Sequence, residues 1–380
     1  MIGHKRIPSH EGGIEIVVEE LSTRLVKHGH TVHAYNRKGH HVSGIEYDKL
    51  HNKLKEYKGI KVITVFTVKR KGLAALTSSF FATLRALFGG YDVIHFHAEG
   101  PSAMLWLPHL FGVRVVVTIH GLDWQRAKWG KFATKYLKLG EKVAAKFADE
   151  IIVLSKNIQQ YFRDTYGRET MFIPNGIDKP EIVGISAIEQ KWDLKKDEYI
   201  LFLGRIVPEK GLGYLVDAFR KIDTLKKLVI AGGSSDTDDF MVEIKNKAKA
   251  DNRIIFTGFV QGESLEELYS NAYAYVLPSD LEGMPISLLE AMSYGNCCIV
   301  SNIPECTEVV EDKAVVFKKS DVQDLSEKLE WICANPDIVD KYKKEASGFI
   351  CGKYNWNSVV EDTIELYQKQ REPVRNSILR

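Results

Sequence analysis

No histidine follows His120, and no cysteine precedes Cys297. The five cysteines (Cys297, Cys298, Cys306, Cys333 and Cys351) form no C-x-x-C pair and no zinc-like spacing, so free thiols in a reducing cytoplasm are expected. None of the 12 histidines pairs with another at helical i, i+4 spacing around an acid. No metal site is therefore read, and most histidines are expected at the surface. No apolar run is long enough to span a bilayer, and the N-terminus has no secretory signal pattern. What remains is an ordinary globular composition, 44% hydrophobic and 27% charged, in a 380-residue chain that favours two domains over one.

The net charge of +2 is unevenly placed. Residues 1–181 carry 27 Lys+Arg against 17 Asp+Glu, and the remainder 25 against 33. The first half is thus expected to meet something anionic. No nucleic-acid partner is expected.

The chain begins abruptly. Met1-Ile2 leave little room for a strand before Gly12-Gly13, so the first strand is expected to be nearly absent or the chain clipped. A helix follows, with Ile14, Val17, Val18, Leu21 and Leu25 on one face. The glycine pair is either a tight turn or a loop whose N–H groups approach a phosphate at the helix start. His30–Tyr35, Gly59–Val68, Asp92–His97, the run V-R-V-V-V-T-I-H ending at His120, and Glu150–Ser155 read as strands. Asn36–Lys58 reads as a loop. Lys69-Arg70-Lys71 flank a helix carrying an aromatic pair, Phe80 and Phe81. A second basic helix, roughly Arg126–Phe147, repeats lysine at 131, 135, 138, 142 and 146. Such a stripe is either a solvated face or a contact for an anionic membrane or polyanionic acceptor. Alternation puts His95 and His97 on one face of their strand. His120 ends a buried strand in a loop that also supplies Asp123 and Trp124, an address for chemistry in a parallel doubly wound sheet. The composition of 172–180, F-I-P-N-G-I-D-K-P, marks a boundary.

A second α/β unit opens with Y-I-L-F-L-G-R-I-V-P-E-K-G from Tyr199. It sets Arg205 and Lys210 at a helix start, where two cations and the positive end of a helix dipole suit a diphosphate. The alternative is a pair of surface cations. Gly258-Phe259 close a strand whose backbone can meet a base edge. In P-S-D-L-E-G-M-P-I-S-L-L-E-A-M, Glu282 lies on a loop and Glu290 on the helix that starts near Pro285. Acids without a basic partner at a strand end suggest recognition of hydroxyls, as on a sugar. Trp356 and a helix from Val359 to Gln370 close the chain, and residues 371–380 read as unstructured.

Two Rossmann-like halves, G-R-I-V-P-E-K-G, P-N-G-I-D and the E-x7-E element together resemble the retaining family-4 glycosyltransferases of GT-B fold, over nearly the whole chain. The start, I-G-H-K-R-I-P-S-H-E-G-G, also resembles the capsule and exopolysaccharide branch. The resemblance implies an α/β fold of two doubly wound domains facing a central cleft. Residues 1–182 would form the acceptor domain and 190–355 the donor domain, with a helix at about 357–372 packing back onto the first. It further implies that Arg205 and Lys210 bind the donor diphosphate, Glu290 the ribose, and Gly258, Phe259 and Val260 the nucleobase. Gly13 would lie near the phosphates across the cleft. Glu282 would meet the donor sugar, together with backbone at Gly283 and Met284, and His120 would stand beside that sugar, so His120 and Glu282 are the expected catalytic residues. The usual aromatic-glycine pair after Glu282-Gly283 is here Met284-Pro285.

The implied activity is transfer of a hexosyl unit from a UDP-, GDP- or dTDP-sugar to a lipid-linked or saccharide hydroxyl, with retention and without metal or other cofactor. The basic first half suits a polyprenyl-phosphate-linked acceptor at the cytoplasmic face of the plasma membrane. Competing readings are a small soluble acceptor, a sugar-nucleotide epimerase on the same fold, and a binding module without catalysis.

Overall fold

A computed structural model of the chain describes residues 1–39, 53–68, 70, 72–126, 129–234 and 238–369. Lys69, Lys71, most of the Asn36–Lys58 loop and the C-terminal tail lie outside the described residues.

The first domain carries strands β1 (His33–Arg37), β2 (Glu56–Tyr57), β3 (Ile60–Val65), β4 (Val93–His97), β5 (Arg114–Ile119), β6 (Glu150–Val153) and β7 (Met171–Phe172). β1 and β3 pair in parallel, with β2 as a short antiparallel edge. β4 to β7 form a second parallel array in chain order. The expected stunted first strand sits between the two arrays and joins them. The Tyr35 amide donates to the Met1 carbonyl (3.1 Å), the Ile2 amide to the His95 carbonyl (2.9 Å), and the His97 amide to the Ile2 carbonyl (2.8 Å). The β-branched run of β5 is buried at every position, as befits a central parallel strand covered on both faces.

The second domain holds β8 (Tyr199–Leu203), β9 (Lys227–Ala231), β10 (Ile254–Gly258), β11 (Ala274–Leu277), β12 (Cys297–Ser301) and β13 (Val315–Phe317). They are parallel, in the order β10-β9-β8-β11-β12-β13. Chain order reverses between β8 and β11. The crevice beyond their carboxyl ends is therefore the place where a doubly wound sheet takes ligands. The loops there are the Gly204–Gly211 and Pro278–Gly283 segments.

The last helix, Trp356–Gln368, returns to the first domain. Its Val360 shares a core with Val18, Leu21 and Leu25 of the helix Gly13–Lys27. The Arg24 guanidinium lies 5.0 Å over the Trp356 ring. All five cysteines are free thiols.

Two expectations need correction. Three histidines depart from the expected surface placement: His4, His95 and His97 are buried, because they sit on the central sheet or against it. The lysine-rich helix starts at Lys131 rather than Arg126, since Asp123–Gln125 form a separate single turn. Phe80 and Phe81 are exposed, and Phe66 packs edge-on against Phe81 at 5.2 Å. Among the described residues, no helix is long and apolar enough to cross a membrane.

Candidate active site

The second domain supplies one wall of the cleft. After β8 the chain turns through Arg205 and a single tight turn at Pro208–Lys210, and the helix Leu212–Lys221 follows. Gly211 has a positive φ of 69°, and a Cβ there would lie 1.9 Å from the Pro278 carbonyl oxygen. Only glycine lets the two loops lock this closely. The Asp280 amide donates to the Glu209 carbonyl (2.9 Å) across the same junction.

That lock brings Lys210 Nζ to 2.6 Å from Glu282 Oε1, and the Ser279 hydroxyl donates to the same oxygen at 2.6 Å. Glu282 thus has a basic partner, contrary to the expectation of unpartnered acids. The partner comes from 72 residues earlier in the chain, so spacing within the E-x7-E element could not reveal it. Arg205 differs. Among the described residues its guanidinium makes no hydrogen bond or ion pair. Burial first, and then the neighbouring Arg126, lower its pKa, but a guanidinium stays charged. Asp123, Glu209 and Glu15 act the other way from nearby, but none bonds it, so this half-buried cation, one loop away from a lysine, is placed to take a further negative charge.

Glu290 lies in the helix Ile286–Ser293, which Pro285 precedes. The Tyr269 hydroxyl donates to its Oε2 at 2.9 Å. The carboxylate keeps some solvent contact, yet it is enclosed closely enough that burial raises its pKa to about 7. At the end of β10, Gly258 takes a positive φ of 73° and its carbonyl accepts from the Gly232 amide (2.8 Å). Gly258 is exposed, and Phe259 and Val260 are half-buried.

The first domain supplies the opposite wall. A Cβ on Gly283 would fall 1.6 Å from the His120 carbonyl oxygen, so the loop after β5 and the Glu282 loop meet backbone to backbone. A Cβ on Gly13 would lie 3.3 Å from Ile286 Cγ1, which sets the start of the first helix against the start of the Glu290 helix. The boundary segment also reaches the site. The Asn175 amide donates to the Met284 thioether (3.1 Å), and the Asn175 side chain to the Met284 carbonyl (3.3 Å). Gly13, His120, Lys210, Glu282, Gly283 and Met284 are therefore gathered at one interdomain seam. Glu290 lies on the helix that continues it. Gly258, Phe259 and Val260 stand at the far end of the second sheet.

Sequence reasoning missed several neighbours. Arg126 bonds Asp123 (2.8 Å) and reaches Glu209 in the other domain (3.4 Å). The first contact is an i, i+3 pair readable from D-W-Q-R; the second spans 83 residues and left no local signal. His97 Nδ1 lies 3.1 Å from His120 Nε2, and His95 stacks on His97 with ring centroids 4.2 Å apart. His95 itself is held by Thr118 (2.8 Å) and by Tyr367 of the last helix (2.7 Å). The H-F-H alternation was the available clue. Burial lowers the His120 pKa to about 4, partly offset by Asp123, so its imidazole is neutral at physiological pH. Behind Asp123, burial foremost pushes Glu99 up to about 10 and keeps it a neutral acid. Among the described residues, no group of three or more His, Cys, Asp or Glu side chains is placed to hold a metal ion.

Two sequence-family models match the chain. Residues 11–179 match the model described as Glycosyltransferase Family 4, and residues 185–349 match Glycosyl transferases group 1. An uncharacterised glycosyltransferase of Methanocaldococcus jannaschii is 24% identical over 94% of each chain. The Escherichia coli enzyme named UDP-Gal:alpha-D-GlcNAc-diphosphoundecaprenol alpha-1,3-galactosyltransferase is 28% identical, covering 56% of this chain and 58% of its own. Among solved structures, Anabaena HepE in complex with UDP-glucose superposes with a TM-score of 0.76, at 16% identity, over 93% of this chain and 95% of that one.

Proposed function

Since this chain is a glycosyltransferase of GT-B fold with family-4 and group-1 halves, we propose that it moves a hexosyl unit from a nucleoside-diphosphate sugar, with UDP as the first candidate nucleotide, to a lipid-linked or saccharide hydroxyl. The observation that supports this reading is the charge arrangement at the switch point: an Arg205 that makes no direct ion pair among the described residues, beside a Lys210–Glu282 pair and opposite a neutral His120. A diphosphate neutralises Arg205 and shares Lys210, and that frees Glu282 to accept hydroxyls of the transferred sugar. Glu290 then takes the ribose hydroxyls, and the Gly258–Val260 backbone lies beside the base. HepE, of the same fold, was crystallised with UDP-glucose, which favours UDP over GDP or dTDP.

In this proposal charge develops on the diphosphate as the glycosidic bond breaks, and Arg205 and Lys210 stabilise it without a metal. The acceptor attacks on the face from which the diphosphate leaves, with retention, and a departing phosphate oxygen takes the acceptor proton. Seating the domains against each other excludes water from the donor.

The acceptor is proposed to be membrane-associated. Phe66, Leu73, Phe80 and Phe81 are exposed on one part of the first domain. The helix Lys131–Phe147 exposes Phe132, Leu139 and all five of its lysines. Basic and apolar groups together suit an anionic lipid surface. The E. coli relative, whose name specifies a diphosphoundecaprenol substrate, is in keeping with this.

The test incubates the protein with UDP-glucose or UDP-galactose and a polyprenyl-diphosphate sugar, and follows products by mass spectrometry and the new anomeric signal by NMR. A retained linkage on the lipid-linked sugar is expected. Epimerised donor alone would establish the epimerase reading. Flotation with anionic vesicles at low salt tests the membrane contact; failure to float would favour a soluble acceptor.

A further inference from the structure

Resting on the reading of His120 as the histidine beside the transferred sugar, we propose that His97 is a positioning residue. It holds His120 in the tautomer whose proton is on Nδ1, so that the cleft is offered an N–H donor rather than a base.

The assignment follows from hydrogen-bond bookkeeping at one contact. His97 Nδ1 and His120 Nε2 are 3.1 Å apart, so one of them donates and the other accepts. The His97 ring is fully buried, and its second nitrogen, Nε2, is sealed from solvent with no partner among the described residues. A neutral imidazole carries one N–H and one bare nitrogen. If His120 donated, the His97 proton would be stranded on Nε2, as a buried N–H with nothing to receive it. If His97 donates from Nδ1, only a lone pair is stranded. Orphaned buried donors are rarer in folded proteins than under-used acceptors.

The remaining state, a doubly protonated His97, is opposed by burial and by the neighbouring His95, His120 and His4. It would in any case still present Nδ1–H to His120. Both other states therefore leave His120 Nε2 as the acceptor and the proton of a neutral His120 on Nδ1. His120 Nδ1 has no partner among the described residues, while the His120 carbonyl abuts Gly283 of the opposite wall.

The support extends outward. His95 stacks on His97 at 4.2 Å, within 27° of parallel. Thr118 and Tyr367 hold the two nitrogens of His95, so the stack is pinned from the central sheet and from the returning helix. Once Nε2 is occupied and Nδ1 is protonated, His120 cannot collect the acceptor proton. It can donate to a sugar oxygen, which leaves the departing phosphate as the proton's destination.

The test is nitrogen NMR on protein labelled with 15N-histidine, with the His120 signals identified by their loss in His120→Asn. Wild type should show His120 protonated at Nδ1 and bare at Nε2 around neutral pH. His97→Phe keeps the stacked ring but removes the donor. It should give His120 signals averaged between two tautomers and a kcat lower by about tenfold or more at unchanged donor KM. His97→Asn, which retains an N–H donor, should recover part of that loss. A wild-type His120 protonated at Nε2 overturns the proposal, and so do unchanged His120 signals in His97→Phe. If His97→Phe does not fold, the wild-type spectrum alone decides. The spectrum needs no substrate, so failure of glycosyl transfer would count against the proposed reaction and leave the tautomer assignment standing.

Discussion

The two walls of the cleft are built to different rules. The second-domain wall is a set of interlocked loops at a topological switch point, where Gly211 fits under the Pro278 carbonyl and Lys210 closes on Glu282. The first-domain wall is a row of rings, His95 and His97 buried and stacked and His120 half-buried and tilted against them, anchored by a helix from the far end of the chain. One wall concentrates charge in short motifs. The other assembles neutral donors from strands and a helix that are remote in sequence. Sequence therefore reveals the first kind of wall far better than the second.

The largest expected effect comes from breaking the charged wall. Lys210→Ala leaves Glu282 buried without its partner, which should cost about 3 kcal/mol of stability in denaturant titration. Loss of a group that stabilises developing charge should lower kcat/KM by about 10²–10³. A variant with wild-type turnover would remove Lys210 from the leaving-group site.

Next is the seam itself. Gly283→Ala drives a methyl group into the His120 carbonyl, where only backbone fits. Overpacking of about 1–3 kcal/mol should fall on closure rather than on either domain core. It would be read as a raised donor KM and a larger radius of gyration in X-ray scattering, with little change in melting temperature. A compact variant of unchanged KM would mean that the walls do not need this contact.

The smallest effect is a pH dependence confined to the second wall. Glu290 has its pKa raised to about 7 by burial, and ribose hydroxyls should bind its ionised form. Donor affinity should therefore rise as pH increases through about 7, and Glu290→Gln should flatten the profile. The stability sign is opposite to that of a salt-bridged acid. The folded state keeps a proton that the unfolded chain releases near 4.5, so Glu290 destabilises the fold above about pH 7 and not below 4.5. Glu290→Gln should raise the melting temperature at pH 8 and leave it unchanged at pH 4. A pH-independent affinity in wild type would argue against Glu290 as a ribose contact.

Much of the fold was legible. Continuous β-branched runs such as V-V-V-T-I mark buried parallel strands, and Gly-Gly, Pro-Asn-Gly and Glu-Lys-Gly segments mark the turns between them. The stunted first strand was legible as a deficit, but not that Met1-Ile2 would still weld the two half-sheets together. At the site, Arg205, Lys210, Glu282 and Glu290 could be picked out because each sits in a dense local pattern. Arg126–Glu209, Lys210–Glu282 and Tyr367–His95 could not, because each joins segments 70 or more residues apart. His95 and His97 depart from the expected surface placement for a related reason. A histidine on a central strand is buried by its neighbours, whatever its own polarity.

The central claim is that Arg205 is held in readiness for a diphosphate. Thermal-shift measurements with UDP-, GDP-, ADP- and dTDP-sugars test it most directly, on wild type and on Arg205→Ala, since a ligand that binds only the folded state raises its melting temperature. Arg205 makes no hydrogen bond or ion pair among the described residues, and its attraction to nearby Asp123, Glu209 and Glu15 is opposed by Arg126 and by burial, so Arg205→Ala should melt close to wild type without ligand. It should also lose the shift produced by the best donor. An Arg205→Ala protein that keeps the full wild-type shift contradicts the account.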